Sequence, residues 1–241
     1  MHYIWLICKR EISVFFDSLI AYIMLVVFLG LSGFFTWLFG SGDIFFVGQA
    51  SLNTFFGVAF WTLFFFIPAI TMRMLAEEQK EGTLELLATK PLSDFQIVAG
   101  KWLAAWLLVA ISLALTLPYY VTVANLGNID HGATISGYLA LLLISGAYTS
   151  IGIFASSMTG NQIVAFIVSL FIAFFFQMLF GEMASILPGT VSGVAEYLSF
   201  NWHFQTLSRG VIGLGNLVYI LSIILLGFIL ATASLKRRAW A

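Results

Sequence analysis

The 241-residue chain is 61% hydrophobic, only 9% of its residues are charged, and its net charge is −1. This is more apolar surface than one soluble domain can bury, so we expect the chain to lie in a lipid bilayer. The near-zero charge argues against nucleic acid as a partner, and the single cysteine, Cys8, excludes an internal disulfide.

The first sixteen residues predict an amphipathic helix that lies in the membrane interface and bends into the first span. Its polar residues lie outside the apolar side of the helix: Lys9, Arg10, Ser13 and Asp17. The apolar residues recur at spacings of three and four: Trp5, Cys8, Ile12, Phe15, Phe16 and Leu19. The alternative is a plain cytoplasmic extension of the first span. The following apolar run is too long for a typical signal peptide, so we expect it to be retained.

Six apolar stretches are long enough to cross about 30 Å of hydrocarbon as helices. They are residues 18–39, 55–75, 96–124, 134–157, 162–181 and 214–235, with approximate bounds. None has a charged residue near its middle, which argues against a passive channel or an ion-coupled carrier. The sequence therefore predicts an all-α, polytopic membrane protein with six transmembrane helices, forming a single domain over residues 1–241.

The basic residues predict the orientation of these spans. Nine of the ten Lys and Arg residues fall on one side of the membrane, and Arg209 is the exception. The positive-inside rule makes that side cytoplasmic, and with six spans both termini lie there.

Two helix starts carry capping signals on the cytoplasmic side. In "PLSDFQI", Ser93 and Gln96 form a capping box at the third span. In "SMTGNQI", we expect Thr159 to cap the fifth span and Gln162 to reach back to it.

The fourth span contains "SGAYTSIGIFASS", in which Gly146, Ser150 and Gly152 leave room for another helix to approach closely. That helix belongs either to the same chain or to a second subunit, and the sequence leaves both readings open. The chain after the fifth span is different: residues 182–213, called here the outer segment, are semi-apolar but interrupted at Pro188 and Gly189. We expect short helices at the outer interface.

The sequence contains no nucleotide-binding loop. His2, His131, His203 and Cys8 lack the spacing of metal ligands, and the spans contain no histidine that could activate a serine. We therefore expect the chain to be neither a metalloenzyme nor a catalyst in its own right.

Seven of the 21 charged residues fall between Glu77 and Asp94, in the connection between the second and third spans. We expect Glu77 and Glu78 to have only sequence neighbours as partners and Gly82 to end the helix that leaves the membrane. The run "TLELLATK" predicts a helix of roughly 12 Å, which Pro91 stops. So short a helix needs a surface to dock on. The alternative, that it lies on the membrane surface, is disfavoured by its excess of acids.

The residues "EEQKEGTLELLATKPLSDFQIVAGKW" resemble the cytoplasmic loop of ABC type-2 permeases. In that family the loop is a coupling helix that sits in a cleft of the partner ATPase and transmits ATP-driven closure. The resemblance covers the whole chain and implies an ATPase contact formed by Glu77, Glu78, Gly82, Thr83, Leu84, Glu85, Leu86, Leu87 and Pro91. The resemblance also includes Lys101, which stands where the family has a lysine at the start of the third span.

The runs "SSMTGNQIVAF" and "HFQTLSRGVIGLGNLVYILS" resemble the gliding-motility (GldF-like) permease subgroup. Members work with an ATPase and a companion membrane subunit bearing a large extracytoplasmic domain (GldG-like). The run "VIGLGN" departs from the subgroup, since Gly213, Leu214 and Gly215 replace its usual charged residues.

The resemblance implies a permease subunit of an ATP-driven exporter in the bacterial inner membrane. The partner would be an ABC ATPase dimer, which binds ATP and Mg, while this chain binds no cofactor. A second permease or the GldG-like companion would complete the complex, with outer-segment contacts at Trp202, His203, Phe204 and Arg209. The alternative is mechanical work on an extracytoplasmic partner without moving a substrate.

Overall fold

The computed structural model describes residues 2–39, 50–83 and 92–238, and these residues form helices and connections without a strand. The helices of the first half are α1 (His2–Asp17), α2 (Leu19–Trp37), α3 (Asn53–Thr71), α4 (Ala76–Lys80), α5 (Asp94–Ala114) and α6 (Leu117–Leu126). Those of the second half are α7 (His131–Met158), α8 (Gln162–Phe174), a π-helical turn (Phe175–Leu179), α9 (Phe180–Ile186), α10 (Thr190–Leu198), α11 (Phe200–Ser208) and α12 (Leu214–Arg238).

Six helical segments within the described residues are long and apolar enough to cross a membrane, which confirms the predicted all-α, six-span architecture. Three of them are single helices: α2, α7 and α12. The other three each combine consecutive helices: α3 continues into α4, α5 into α6, and α8 through the π-helical turn into α9. The predicted third span is interrupted between α5 and α6 just before Pro118, because proline has no N–H and its ring clashes with the preceding turn of a helix.

The most buried span is α7, which packs against α3, α5, α8, α11 and α12. Of the residues in its apolar stretch, 78% are buried inside the protein. The corresponding fractions for the spans that contain α2, α8 and α12 are only 22–28%. These three peripheral helices expose large apolar side chains such as Leu19, Ile163 and Leu214. Such exposure fits a helix whose outer surface contacts lipid.

The small residues of α7 pack inside this chain, which decides between the two readings of the fourth span. A Cβ atom at Gly152 would lie 2.8 Å from Cβ of Thr71 on α3, and one at Gly227 on α12 would lie 2.7 Å from Oγ of Ser150. The indole of Trp102 on α5 also donates a hydrogen bond of 2.9 Å to the carbonyl oxygen of Gly146. The span thus serves as the common packing surface for three neighbours.

One of the two predicted caps is confirmed and the other is wrong. At α5 the backbone N–H of Gln96 donates to Ser93 Oγ (3.3 Å), and that of Ser93 donates to Gln96 Oε1 (3.1 Å). At α8 the cap is Asn161, whose Oδ1 accepts from the N–H of Ile163 at 2.9 Å. Because α8 begins at Gln162, the extended residue immediately before it holds the capping position, and Thr159 instead accepts from the N–H of Asn161.

The helix α1 is separate from the first span, because the chain turns at Ser18, whose backbone is extended. Its buried face comprises Ile7, Cys8, Glu11 and Phe15 and packs against α5. Trp5, at the start of the predicted apolar stripe, is exposed on the protein surface, and its contact with the membrane interface stays a prediction. The buried face includes one acidic residue, and the reason lies in the charges described below.

The contact between Gly152 and Thr71 leads to a stability prediction. Replacing Gly152 with alanine forces α3 and α7 apart and lowers the free energy of unfolding by about 1–3 kcal/mol, the usual cost of overpacking. The matched control is Gly57→Ala, also within a membrane helix, where an added Cβ meets nothing within 4 Å. Unfolding of the two variants in mixed micelles checks this, and equal stability would contradict the assigned contact.

Candidate functional site

The exit from the second span is held by α7. Between α3 and α4 the helix is broken over residues 72–75, which leaves backbone groups without helical partners. The hydroxyl of Ser156 on α7 accepts from the N–H groups of Leu75 (3.1 Å) and Ala76 (3.0 Å). It also donates to the carbonyl oxygen of Met72 at 3.0 Å. One serine therefore satisfies three backbone groups of the break.

The neighbouring residue, Ser157, extends this attachment to the last helix. Its carbonyl oxygen accepts from Nε2 of Gln79 on α4 at 2.9 Å and from the hydroxyl of Ser234 on α12 at 3.0 Å. The end of α7 thus fixes α4 and α12 together on one face of the molecule, which we call the terminal face. It also carries α1 and the start of α5.

The short helix α4 ends as predicted at Gly82, whose φ is +69°. This left-handed conformation is one that glycine adopts readily and that other residues rarely do. Thr83 follows, and its hydroxyl donates to the carbonyl oxygen of Glu78 at 3.3 Å. The predicted contact residues Leu84, Glu85, Leu86, Leu87 and Pro91 lie outside the described residues. The chain is described again from Leu92, just ahead of the Ser93 capping box.

Four charged side chains meet on the terminal face, and we call them the charge cluster: Arg10, Glu11, Glu78 and Lys101. The ammonium group of Lys101 lies 3.1 Å from Oε1 of Glu11 and 2.9 Å from Oε1 of Glu78. Nη2 of Arg10 lies 2.5 Å from Oε1 of Glu11 and 2.9 Å from Oε1 of Glu78. Each carboxylate therefore contacts both cations, and the cluster has no net charge.

Lys101 is the most deeply buried member, with a side chain 1% exposed. A buried ammonium group is tolerated only when carboxylates replace its hydration. Arg10 is more exposed: its burial opposes the charged form, but the carboxylates of Glu11 and Glu78 outweigh this and raise its pKa above the usual range. The cluster joins α1, α4 and α5, which are distant in sequence.

The expectation that Glu77 and Glu78 have only sequence neighbours as partners was wrong for Glu78, whereas Glu77 does pair with a sequence neighbour. Glu77 forms a two-pronged ion pair with Arg73, at 3.0 Å for each hydrogen bond. Glu78 instead reaches Arg10 and Lys101. Sequence offered one signal for this pairing: Glu11 lies on the apolar side of α1, and Lys101 lies two turns inside α5, so each is a charge in need of a partner.

A cavity of about 560 Å³ opens beside the charge cluster. Its walls come from α1, the end of α3, α4 and Lys101, and it reaches Thr83, the last described residue before the loop. The described part of the predicted site, from Glu77 to Thr83, thus borders a recess in the terminal face.

The outer segment forms the short helices that its sequence predicts, α9, α10 and α11. His203 is fully buried, with Nδ1 2.8 Å from Oδ1 of Asn216 and Nε2 2.7 Å from the carbonyl oxygen of Tyr197. Phe204 stacks on Phe60 of α3 with ring centroids 4.3 Å apart. Both side chains therefore contact residues of this chain.

The other two predicted contact residues of the outer segment are more accessible. Trp202 is half-buried against Tyr197 and His203, and Arg209 is exposed. A contact between these residues and a companion subunit stays a prediction.

Comparison with known proteins decides the family. Residues 40–240 match the family described as ABC-2 family transporter protein. The chain belongs to the ABC-2 transporter family. It is a multi-pass membrane component of an ABC transporter, and membership implies an ABC ATPase as the partner that does the catalysis. No curated protein matches the sequence at a significant level.

The described residues of this ABC-2 permease contain no group of three His, Cys, Asp or Glu side chains that could hold a metal ion. The charge cluster pairs acids with bases, which makes it a connection between helices and not a ligand set. Its position at both ends of the loop is what distinguishes it from an ordinary surface ion pair.

The burial of Lys101 leads to a second prediction. Lys101→Met leaves Glu11 and Glu78 close together without their buried cation, so we expect a loss of about 3–5 kcal/mol in the free energy of unfolding. The matched control is Arg73→Met, which removes the ion pair with Glu77, whose two side chains are each one-third exposed. We expect this substitution to lower the free energy of unfolding by less than about 1 kcal/mol. Equilibrium unfolding in mixed micelles measures both, and equal losses would show that burial does not set the energy.

A third prediction concerns pH. Burial lowers the pKa of His203 below its ordinary value of 6.5, although the hydrogen bonds to Asn216 and Tyr197 oppose this. The unfolded state therefore binds the proton first as pH falls, and stability decreases from about pH 6.5 downward. His203→Phe keeps an aromatic ring and removes this part of the acid sensitivity. The control variant His131→Phe replaces an exposed histidine and should keep the acid sensitivity that comes from His203. Thermal unfolding of both variants and the wild type at pH 7.5 and at about pH 5 measures the difference.

Proposed function

We propose that this chain is the permease subunit that couples ATP hydrolysis by a partner ABC ATPase dimer to export across the bacterial cytoplasmic membrane. In this proposal the terminal face is cytoplasmic, and residues 77–91 contact the ATPase. The ATPase binds ATP and Mg, and this chain binds no cofactor of its own.

The observation that carries the proposal is the attachment of both ends of the loop. Before the loop, α4 is held by Ser156 and Ser157 of α7 and by the charge cluster. After the loop, α5 starts at the Ser93 capping box and contributes Lys101 to the same cluster. A displacement of the loop by the ATPase would therefore reach α1, α5, α7 and α12 through hydrogen bonds and ion pairs already in place.

The finer assignment is to the GldF-like subgroup, which rests on the two sequence runs at 156–166 and 203–222. It adds a second permease or a companion subunit with an extracytoplasmic domain as partner. Of the four outer-segment residues predicted to contact such a partner, Arg209 and the half-buried Trp202 are the more accessible.

The second candidate function is mechanical work on an extracytoplasmic partner without passage of a substrate. The packing between the outer segment and the spans favours it, because aromatic rings fill this region. Phe60 stacks on Phe204, and Phe64 and Phe200 each pack edge-on against Tyr148. A structure of the complete complex separates the two: a polar passage between subunits supports export, and a closed aromatic interface supports mechanical coupling.

A fourth prediction tests the coupling. Proline cannot adopt the φ of +69° found at Gly82, so Gly82→Pro changes the path from α4 into the loop. In complexes with the partner ATPase, we expect it to lower the permease-dependent stimulation of ATP hydrolysis at least about tenfold, equivalent to about 1.4 kcal/mol of activation free energy. Leu87→Glu, which places a charge on the proposed docking face, is expected to do the same.

The matched control is Gly189→Pro, because Gly189 also has a positive φ (+64°) but lies in the outer segment. We expect this variant to keep the stimulation. Wild-type stimulation in both Gly82→Pro and Leu87→Glu, with the complex intact by size-exclusion chromatography, would refute the assigned role of the loop.

A further inference from the structure

A second cavity, of about 410 Å³, lies at the end of the molecule opposite the terminal face. It is an open cleft lined by the π-helical turn after α8, by the outer segment and by Trp61 of α3. Its volume falls within the roughly 300–1,000 Å³ typical of small-molecule sites. None of its lining residues belongs to the charge cluster or to the loop.

Two buried polar side chains that line this cavity lack a hydrogen-bond partner. Gln177 is 2% exposed; its Oε1 accepts from the hydroxyl of Tyr148, but its Nε2 has no partner among the described residues. Ser199 is 1% exposed, and its Oγ is likewise unpaired within the described part of the chain. A buried polar group left unpaired costs about 1–3 kcal/mol, so such groups are uncommon without a ligand or water to satisfy them.

The backbone around Gln177 also departs from regular structure. Residues 175–179 form a π-helical turn inside an otherwise α-helical span. Such turns are rare and frequently lie at functional sites, because the extra residue redirects a side chain. Here the turn carries the unpaired amide.

The charges of the lining restrict the ligand. Glu182 and Glu196 contribute exposed carboxylates, and no basic side chain is among the described residues of the lining. An anionic ligand is therefore disfavoured. An ammonium group would suit the carboxylates and the rings of Trp61 and Trp202, but it has no acceptor for Nε2 of Gln177.

Hydroxyl groups meet both requirements, because each one donates and accepts. They can donate to the carboxylates of Glu182 and Glu196 and accept from Nε2 of Gln177 and Oγ of Ser199. The indole rings of Trp61 and Trp202 offer apolar surface for the C–H face of a ring that carries such hydroxyls.

We propose that this cavity binds a neutral, polyhydroxylated ring, namely a hexopyranose unit. The site includes no residue of the loop and does not require the ATPase, so this proposal can be tested independently of the proposed coupling function. Gln177 supplies the buried donor, the two glutamates accept from hydroxyls, and the two tryptophans pack on the ring.

The test uses the full chain in phospholipid nanodiscs, because detergents with sugar headgroups would compete for the site. The probe is methyl β-D-glucopyranoside, followed by saturation-transfer NMR. We expect saturable binding to the wild type and a weaker signal for the anionic glucose 6-phosphate. Gln177→Met, which keeps the length of the side chain and removes the donor, should weaken binding about 3- to 10-fold, the loss expected for one neutral hydrogen bond.

The matched control is Gln162→Met, the same substitution at the other end of the same span, and it should bind like the wild type. Because Gln177→Met also removes the acceptor of Tyr148, the variant Glu182→Gln/Glu196→Gln provides a second test on exposed residues that need not affect folding. We expect it to weaken glucoside binding and to reduce the discrimination against glucose 6-phosphate.

Two results would overturn the proposal. No saturable binding of the glucoside to the wild type would mean that water alone satisfies Gln177 and Ser199. Equal affinity of the wild type, Gln177→Met and the double glutamate variant would mean that the sugar binds elsewhere.

Discussion

The burial of one lysine constrains the whole terminal face. Lys101 lies two turns inside α5 with its side chain 1% exposed, so carboxylates must replace most of its hydration. Glu11 comes from α1 and Glu78 from α4. This requirement explains why α1 turns an acidic residue inward and why α4 places Glu78 against Lys101 of α5.

The second constraint is the need to satisfy backbone groups where the second span is broken. The hydroxyl of Ser156 bonds three of them, and it can do so only because α7 approaches α3 closely at Gly152. The small residues of α7 and the polar residues at its end therefore belong to one arrangement. Close packing along the span brings its end to the break, and the serines there fix α4 in position.

Much of this fold could be predicted from sequence, because its signals are local. Hydropathy and length locate the spans, the Ser93 capping box depends on four neighbouring residues, and the left-handed turn at Gly82 follows from glycine chemistry. What sequence did not supply is long-range pairing. Glu78 and Arg10 are 68 residues apart and Lys101 and Glu11 are 90 apart, and no periodicity links such positions. The misassigned cap at Thr159 is a smaller and local error: Thr159 and Asn161, two residues apart, are both suitable caps, and the exact start of the helix decides between them.

Two kinds of attachment hold α4, and they are comparable in strength. Separating Glu78 from Lys101 leaves a buried ammonium group with one carboxylate in place of two, which costs several kcal/mol. On the other side, Ser156 bonds three backbone groups at the start of α4, and Ser157 accepts from Gln79. These neutral bonds contribute about 0.5–1.5 kcal/mol each, so together they hold α4 to α7 about as firmly as the ions hold it to α1 and α5. A displacement of α4 would therefore move α7 together with α1 and α5, and the bond from Ser234 to Ser157 would pass the movement on to α12.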